Sequence, residues 1–311
     1  MIARVLMLQR RLWTMWQEQF LQSEKNSRKG EKKVQGWLIY KKQEAERNQH
    51  AVSFYLDAAA KRGVSLTLML FEQFSADAAS YGEKKVEKFP DFVIMRADVP
   101  AFSAALEQRG IPVFNNARLS FVANDKWETV KLARTLGVPT PVTCLATKEN
   151  AAAEAAKLGY PLVMKPRDGH GGQDVLWIAS ETELRSVLLL FDHDSFLLQQ
   201  PVSDLGRDLR VYVLGGCIVA AMLRSREDDF RSNYCLGGTA TIHTLTEAEQ
   251  ALVETVIKAL PMDFAGVDLL YHNGQPVLGE IEDVVGARML YHVAGLSIID
   301  DYVDYIIDKL S

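Results

Sequence analysis

Three acids near the end of the chain carry the clearest chemical signal. Asp268 lies in the apolar run 267–271, and Glu280 and Glu282 stand two residues apart in the run 276–282. In an extended strand, side chains two residues apart point to the same face. If His272 pairs with Pro276 across a three-residue turn, Asp268 falls directly opposite Glu280. Three carboxylates on one strand face repel each other unless cations neutralise them. An all-oxygen set of this kind suits Mg²⁺, which keeps several waters and shares its coordination with phosphates. A solvated face with spare acids is the plainer alternative. It fits poorly with Val267, Leu269, Leu270, Val277, Leu278 and Ile281 interleaved among the acids.

A second signal is the loop Lys165-Pro-Arg-Asp-Gly-His-Gly-Gly-Gln-Asp174. It joins two strands and matches neither GxxxxGK[ST] nor GxGxxG, so the two familiar nucleotide fingerprints do not apply. Its glycines still allow backbone N–H groups to close over phosphates, and Lys165 at the strand end adds an ammonium to the same anion. A simple turn is the alternative. Lys126, preceded by Asp125 at a helix start, is unremarkable alone. Arg224, Arg226, Arg231 and Asn233 gather after a hairpin, which suits a polyphosphate beside an acidic metal site. Glu227, Asp228 and Asp229 are interleaved there, so a charged surface loop competes. The histidines have no metal-ligand spacing, and no Ser-His-Asp or Cys-His set can be read.

Composition narrows the class. The 311 residues allow about two domains, possibly three lobes. Lys plus Arg is 35 against 40 for Asp plus Glu, a net charge of −5, which does not favour a nucleic-acid partner. Residues 211–223 are uncharged but contain Gly215-Gly216 and fall short of the about 20 residues needed to span a bilayer. Cys144, Cys217 and Cys235 form no CxxC pair, so a reducing cytoplasm is the expected setting, with no membrane partner. Cys217 is expected in the core of its strand.

The elements that must position these residues follow from spacing. Residues 1–35 differ from the rest: Trp13 and Trp16 sit in a basic stretch before a polar run, as an amphipathic helix or as sequence upstream of a native start near Val34. From Gly36, strands at 37–40, 64–71, 92–95 and 111–114 alternate with helices at 50–62 and 100–109, which argues for a parallel sheet. A helix is expected over 124–136. Asn150 is expected to cap a helix at 151–158, and strands follow at 162–165, 175–178 and 196–199, with a helix at 181–190. Beyond these, 209–214 and 217–223 form a hairpin about Gly215-Gly216. Thr246 and Glu249 make a capping box for a helix to residue 260. The acid-bearing hairpin and a final helix at 298–310 complete the chain.

Taken in order, these stretches resemble the ATP-grasp superfamily, and within it the RimK-like carboxylate–amine ligases. The matching pieces are Asn124-Asp-Lys-Trp, Gly137-Val-Pro-Thr-Pro, Pro161-Leu-Val-Met-Lys-Pro, Gly169-His-Gly-Gly and Leu198-Gln-Gln-Pro-Val. They continue with Asp208-Leu-Arg, Asp229-Phe-Arg-Ser-Asn233, Leu236-Gly-Gly, Ala265-Gly-Val-Asp268 and Glu280-Ile-Glu. The resemblance implies an α/β chain with the ATP-grasp fold. An extension at 1–35 precedes an N-terminal α/β domain at 36–115, a lid region at 116–200 and a C-terminal antiparallel catalytic lobe at 201–311.

It also implies roles. Lys126 and Lys165 hold the α- and β-phosphates under the loop of Gly169, His170, Gly171 and Gly172. Gln199, Gln200, Pro201 and Val202 form a hinge whose polar edge reads adenine, and Pro201, lacking an N–H, leaves that task to the Gln199 and Gln200 carbonyls and the Val202 amide. Asp208 binds the ribose, and Ser232 lies with the nucleotide. Arg224, Arg231 and Asn233 stabilise the γ-phosphate and an acyl-phosphate. Asp268 and Glu280 ligate two Mg²⁺ ions, with Glu282 as the third acid where the family usually has Asn. That exchange adds a negative charge, for tighter Mg²⁺ or a preference for Mn²⁺. Residues 283–290 also depart from the family at the acceptor pocket, with Arg288 a carboxylate clamp and Arg96, near Trp37 and Tyr40, a further substrate contact.

The implied activity is an ATP-dependent carboxylate–amine ligase, using ATP and Mg²⁺. A carboxylate attacks the γ-phosphate to give an acyl-phosphate and ADP, and an amine then displaces phosphate. The partners are small-molecule or peptide carboxylates and amines, and a homo-oligomer is compatible. A kinase on the same scaffold and a non-catalytic MgATP-binding scaffold are the competing readings.

Overall fold

The computed structural model describes residues 34–169, 174–226, 229–231 and 238–311. The expected N-terminal extension up to residue 33, and the expected site residues His170, Gly171, Gly172, Ser232 and Asn233, lie outside the described residues. Among the described residues no helix is long and apolar enough to cross a membrane.

The chain opens with β1 (Gln35–Tyr40), helices α1 (Lys42–Arg47) and α2 (Gln49–Lys61), and β2 (Ser65–Leu70). A small hairpin follows, β3 (Ser80–Tyr81) and β4 (Lys84–Lys85), then β5 (Phe92–Met95), α3 (Pro100–Glu107) and β6 (Val113–Phe114). The strands lie parallel in the order β2-β1-β5-β6, as alternating strands and helices require. Both faces are covered: Leu38, Tyr40, Phe92 and Ile94 enter one core, Ile39, Val93 and Met95 another.

The helix expected over 124–136 forms as α5 (Lys126–Leu136), and a further helix, α4 (Ala117–Ala123), precedes it. Asp125 breaks them by turning extended (φ −121°, ψ 105°) and accepting the Trp127 N–H on its side chain. The lid follows: β7 (Thr143–Thr147), α6 (Ala151–Leu158), β8 (Leu162–Pro166), β9 (Leu176–Ile178), α7 (Glu181–Leu188) and β10 (Ser195–Gln199). Its antiparallel order is β7-β10-β8-β9. Strand β7 escaped the sequence reading because it follows Pro139 and Pro141 and gains its ladder only from β10. Asn150 does not cap α6. Its side chain accepts the Thr147 N–H at 2.7 Å instead, closing the turn before the helix.

The C-terminal sheet runs β13-β12-β11-β14-β15. It is built from β11 (Arg207–Leu214), β12 (Cys217–Ser225), β13 (Thr239–Ile242), helix α8 (Glu247–Ala259), β14 (Phe264–His272) and β15 (Gln275–Glu282). Cys217 is exposed rather than in the core, because it is the first residue past the Gly215-Gly216 turn at the sheet's end. The capping box of Thr246 and Glu249 forms as expected. The last helix, α9 (Ile298–Leu310), crosses back to the first sheet. There Tyr302 packs edge-on to Tyr55 at 6.3 Å, and Arg62, just past the end of α2, bonds Asp304 at 2.6 Å and Asp300 at 3.0 Å.

The register of the β14–β15 hairpin places the acids, and it does so differently from the expected turn. His272 pairs with Gln275, not Pro276, leaving Asn273 and Gly274 as a two-residue turn with φ of 53° and 72°. Continued unbroken, that register would set Asp268 opposite Gly279. A bulge between Asp268 and Leu269 inserts Gly279 as an extra residue, and Asp268 then faces Glu280 after all. A side chain there would be crowded, since a Cβ on residue 279 would lie 3.0 Å from Leu270 Cγ and 3.2 Å from the Asp268 carbonyl oxygen. We expect Gly279→Val to cost about 1–3 kcal/mol of stability by overpacking, read by thermal melting. It should weaken nucleotide binding more than a distant substitution of equal cost. Unchanged binding at reduced stability would separate the bulge from the site.

Candidate functional site

Charged side chains from four neighbouring strands share one face of the C-terminal sheet, opposite in sign except where Asp268 faces Glu280. The pairings are Asp208 with Arg224, Arg210 with Asp268, and Asp268 with Glu280, while Glu282 lies across from Gly266. Arg210 donates from Nε and Nη2 to both oxygens of Asp268, at 2.8 and 2.6 Å, and from Nη2 to Glu282 Oε1 at 2.5 Å. Arg224 forks Asp208 at 2.6 and 2.5 Å and reaches Asp268 Oδ2 at 2.7 Å. Gly266, across from Glu282, leaves room for Val285 to pack against the strand beside Arg210. A Cβ there would lie 2.9 Å from Val285 Cγ2 and 3.6 Å from Arg210 Nε.

Two lysines complete the floor. Lys126, at the first turn of α5, sets its Nζ 3.0 Å from Glu280 Oε1 and donates to the Gly169 carbonyl. Lys165, at the end of β8, reaches Gln199 Oε1 at 3.3 Å, and Gln199 in turn donates to Thr143 Oγ1 at 2.7 Å. Burial pushes the Lys165 ammonium down to about 8, with Lys126 adding to the fall and Glu280 opposing it. Burial alone would raise Asp268, but Arg210 and Arg224 outweigh it and hold the carboxyl far below its usual range. Burial likewise works against ionised Glu280, and Lys126 and Lys165 overcome it. Glu282 is raised by burial and by the neighbouring Asp268 and Glu280, against the pull of Arg210.

Above this floor lies a cleft of about 1050 Å³, its open mouth included. Lys126, Lys165, Asp268 and Glu280 line its charged end, together with Asp208, Arg224 and Arg231. Gln199, Pro201 and Val202 border it at the hinge, and Gly169 at the lid. Val163, Val175, Leu205, Leu270 and Phe230 form an apolar wall suited to a flat ring. Arg231 is itself held by Asp229 at 2.8 Å.

The structure thus gathers most of the expected residues and leaves some apart. Gln200 turns its side-chain amide to the Leu158 carbonyl at 2.8 Å and its backbone N–H to Val142, and it does not line the cleft. Asp208, expected at the ribose, is buried with both oxygens on Arg224. Arg224, expected at the γ-phosphate, borders the charged end of the cleft but is 2% exposed and occupied by Asp208 and Asp268. Arg96 and Arg288 are outside the cleft, and Arg288 is exposed. The surplus negative charge expected from Glu282 is met within the fold by Arg210. Sequence reading assigned Arg210 no role. Its signal was present, for it stands two residues from Asp208 and therefore on the same strand face.

Arg210→Met leaves Asp268 and Glu282 as buried anions short of a partner. It should cost about 3–5 kcal/mol in urea unfolding, and adding Glu282→Gln should recover part of that loss. Competitive acetylation across pH should give Lys165 a midpoint near 8, below the 10.5 of a free side chain. A midpoint above 10 would show a solvated ammonium instead.

Known proteins resemble this chain in sequence and fold. A family model described as a RimK-like ATP-grasp domain matches residues 123–306. A probable alpha-L-glutamate ligase 1 of Shewanella sp. (strain W3-18-1) is 31% identical over 206 residues, covering 64% of this chain and 68% of that protein. A probable alpha-L-glutamate ligase of Mannheimia succiniciproducens is 28% identical over 211 residues, covering 66% and 71%. Among solved structures, the RimK domain protein ATP-grasp from Sphaerobacter thermophilus superposes with a TM-score of 0.69 at 18% identity, covering 88% of this chain and 100% of that one. The D-alanine–D-alanine ligase from Bacillus anthracis in complex with ATP gives 0.68 at 19% identity, covering 90% and 97%. At these identities the superpositions speak for the fold alone.

Proposed function

Because the chain belongs to the RimK-like ATP-grasp family, we propose that this cleft holds MgATP and joins a substrate carboxylate to an amine through an acyl-phosphate. The chain is an ATP-dependent carboxylate–amine ligase. The observation that carries the residue assignment is the charged floor, where Lys126 and Lys165 flank Glu280 and Asp268 at the end of an apolar-walled cleft.

In this reading the adenine lies against the apolar wall beside Gln199, Pro201 and Val202, and the phosphates run toward Lys126 and Lys165 under the loop that begins at Gly169. The acids fit a hard cation: Asp268, Glu280 and Glu282 each bring one oxygen within 4.8 Å of the others. Asp268 and Glu280 would hold Mg²⁺, with Glu282 beside them, and the ion would neutralise phosphate charge when bound. Counted formally, the acids Asp208, Asp268, Glu280 and Glu282 balance Arg210, Arg224, Lys126 and Lys165. A neutral floor suits a neutral cargo, which ATP becomes with two divalent ions. The same oxygen set also accepts Mn²⁺.

The residues then act by position and charge. Lys165, desolvated in the free protein, gains a partner when a phosphate arrives. Arg231 at the cleft edge faces charge that develops as the carboxylate oxygen bonds the γ-phosphorus and ADP departs. The amine then attacks the activated carbonyl and phosphate leaves. L-Glutamate, the amino acid in the relatives' names, is the first substrate to offer, and the cytoplasm, where ATP is supplied, is the working compartment.

ADP release should depend on a carboxylate substrate, and hydroxylamine should divert the activated acyl group to a hydroxamate. Lys165→Met and Glu280→Gln should each lower turnover by about a hundredfold or more, with circular dichroism unchanged. ADP release that ignores both carboxylate and amine, or a stable phosphorylated product, would overturn the ligase reading.

A further inference from the structure

The oxygens suited to a divalent ion are already engaged by the protein's own cations. Arg210 joins two of the three acids through one nitrogen, its Nη2 donating to Asp268 Oδ2 at 2.6 Å and to Glu282 Oε1 at 2.5 Å. Its Nε takes the other oxygen of Asp268 at 2.8 Å, and Arg224 adds a bond to Oδ2 at 2.7 Å. The third acid, Glu280, has Lys126 Nζ at 3.0 Å. A single guanidinium nitrogen thus bridges Asp268 and Glu282 as a bound ion would.

The two kinds of cation differ in what could move them. Arg210 stands on β11, between β12 and β14, with its side chain 8% exposed. An arginine keeps its charge at any physiological pH, so it cannot step aside by losing a proton. Lys126 instead lines the cleft at the start of α5 and also donates to the Gly169 carbonyl, so an arriving phosphate can draw it from Glu280. The floor's charges already balance without any ion. A bare divalent cation therefore meets no net attraction, yet must shed water to reach oxygens that are already bonded.

We propose that Arg210 is a built-in counter-ion that keeps free divalent metal out of the three-acid cluster, so that metal enters with nucleotide phosphate and not before it. This rests on the MgATP reading and adds to it an order of binding and the residue that imposes the order. Arg210 acts through Asp268 and Glu282 and is a positioning residue. It holds both acids ionised and aimed while cancelling the charge that would otherwise collect metal from solution. Nucleotide changes the balance by bringing phosphate oxygens for the ion and new partners for Lys126 and Lys165.

The test is a titration of nucleotide-free protein with Mn²⁺, followed by electron paramagnetic resonance, which reads the free ion. Arg210→Met should bind Mn²⁺ about tenfold tighter than wild type or better, a gain that a merely loosened fold does not produce. Arg210→Lys keeps the charge and should stay close to wild type. Adding Glu282→Gln to Arg210→Met removes one freed acid and should abolish most of the gain. At one fixed concentration, Mn²⁺ should raise the melting temperature of Arg210→Met and leave that of wild type nearly unmoved. Mn²⁺ held by wild type as tightly as by Arg210→Met, or equal melting shifts in the two, would overturn the proposal. If Arg210→Met folds only when Mn²⁺ is present, the ion has taken the place of the guanidinium, as proposed. If it folds under neither condition, Lys126→Met decides: freeing Glu280 should also tighten Mn²⁺, and unchanged affinity would overturn the idea. Calorimetric binding of AMP-PNP with Mg²⁺ to wild type is read separately. Its absence sinks the MgATP reading, while its presence beside unchanged Mn²⁺ affinity in the variants sinks only the role of Arg210.

Discussion

The structure depends on a two-dimensional lattice of buried charge. Asp208, Arg210, Arg224 and Asp268 are each less than a tenth exposed, and they alternate in sign along and across adjacent strands. Taking any one of them out of water alone would be prohibitive, and together each serves as the others' solvent. The hydrophobic cluster on the opposite face, with Leu209, Val211, Leu269 and Ile281, fixes which residues point outward. The period of the strands, and not a dedicated binding loop, therefore brings the acids together. A lattice of paired ions is weak as a source of stability. Its worth lies in holding carboxylates ionised and aimed before any ligand arrives.

Most of this was legible in the sequence, for identifiable reasons. The parallel first sheet followed from alternating strands and helices, and the final helix was placed at its observed ends because its apolar spacing is unambiguous. The three acids were correctly put on one face, since two-residue periodicity survives local irregularity. The register that faces Asp268 with Glu280 was right although the turn was wrong. A tighter turn and a bulge at Gly279 shift the pairing by one residue each, and the shifts cancel. Spacing arguments do not see bulges, because an extra residue leaves the apolar pattern on each side intact.

The failures are long-range. Strand β7 has no strand pattern apart from its partner β10. Asn150 had the right type for a helix cap but found the Thr147 N–H first. Arg210 could have been caught by phase with Asp208, yet its meaning depends on Asp268 and Glu282, both more than fifty residues away. The charge of Glu282, counted alone, suggested an overloaded acidic site, whereas the fold supplies its counter-ion across the sheet. What a side chain is next to decides its chemistry, and sequence gives that only within one element.

The lid keeps an apolar core of its own, confined to residues between Cys144 and Leu198. Its ties to the rest of the molecule near the cleft are mostly polar, Lys126 to the Gly169 carbonyl, Asp125 to Arg167, and Arg134 to the Thr143 carbonyl, beside one ring contact of Trp177 with Phe230 at 5.5 Å. Swinging the lid aside would therefore expose little apolar surface beyond that ring pair and the cleft wall, and much of the work of opening is electrostatic. Added salt screens such contacts while leaving the packed cores untouched. Ionic strength thus becomes a handle on how freely nucleotide enters and product escapes, independent of how firmly the molecule is folded.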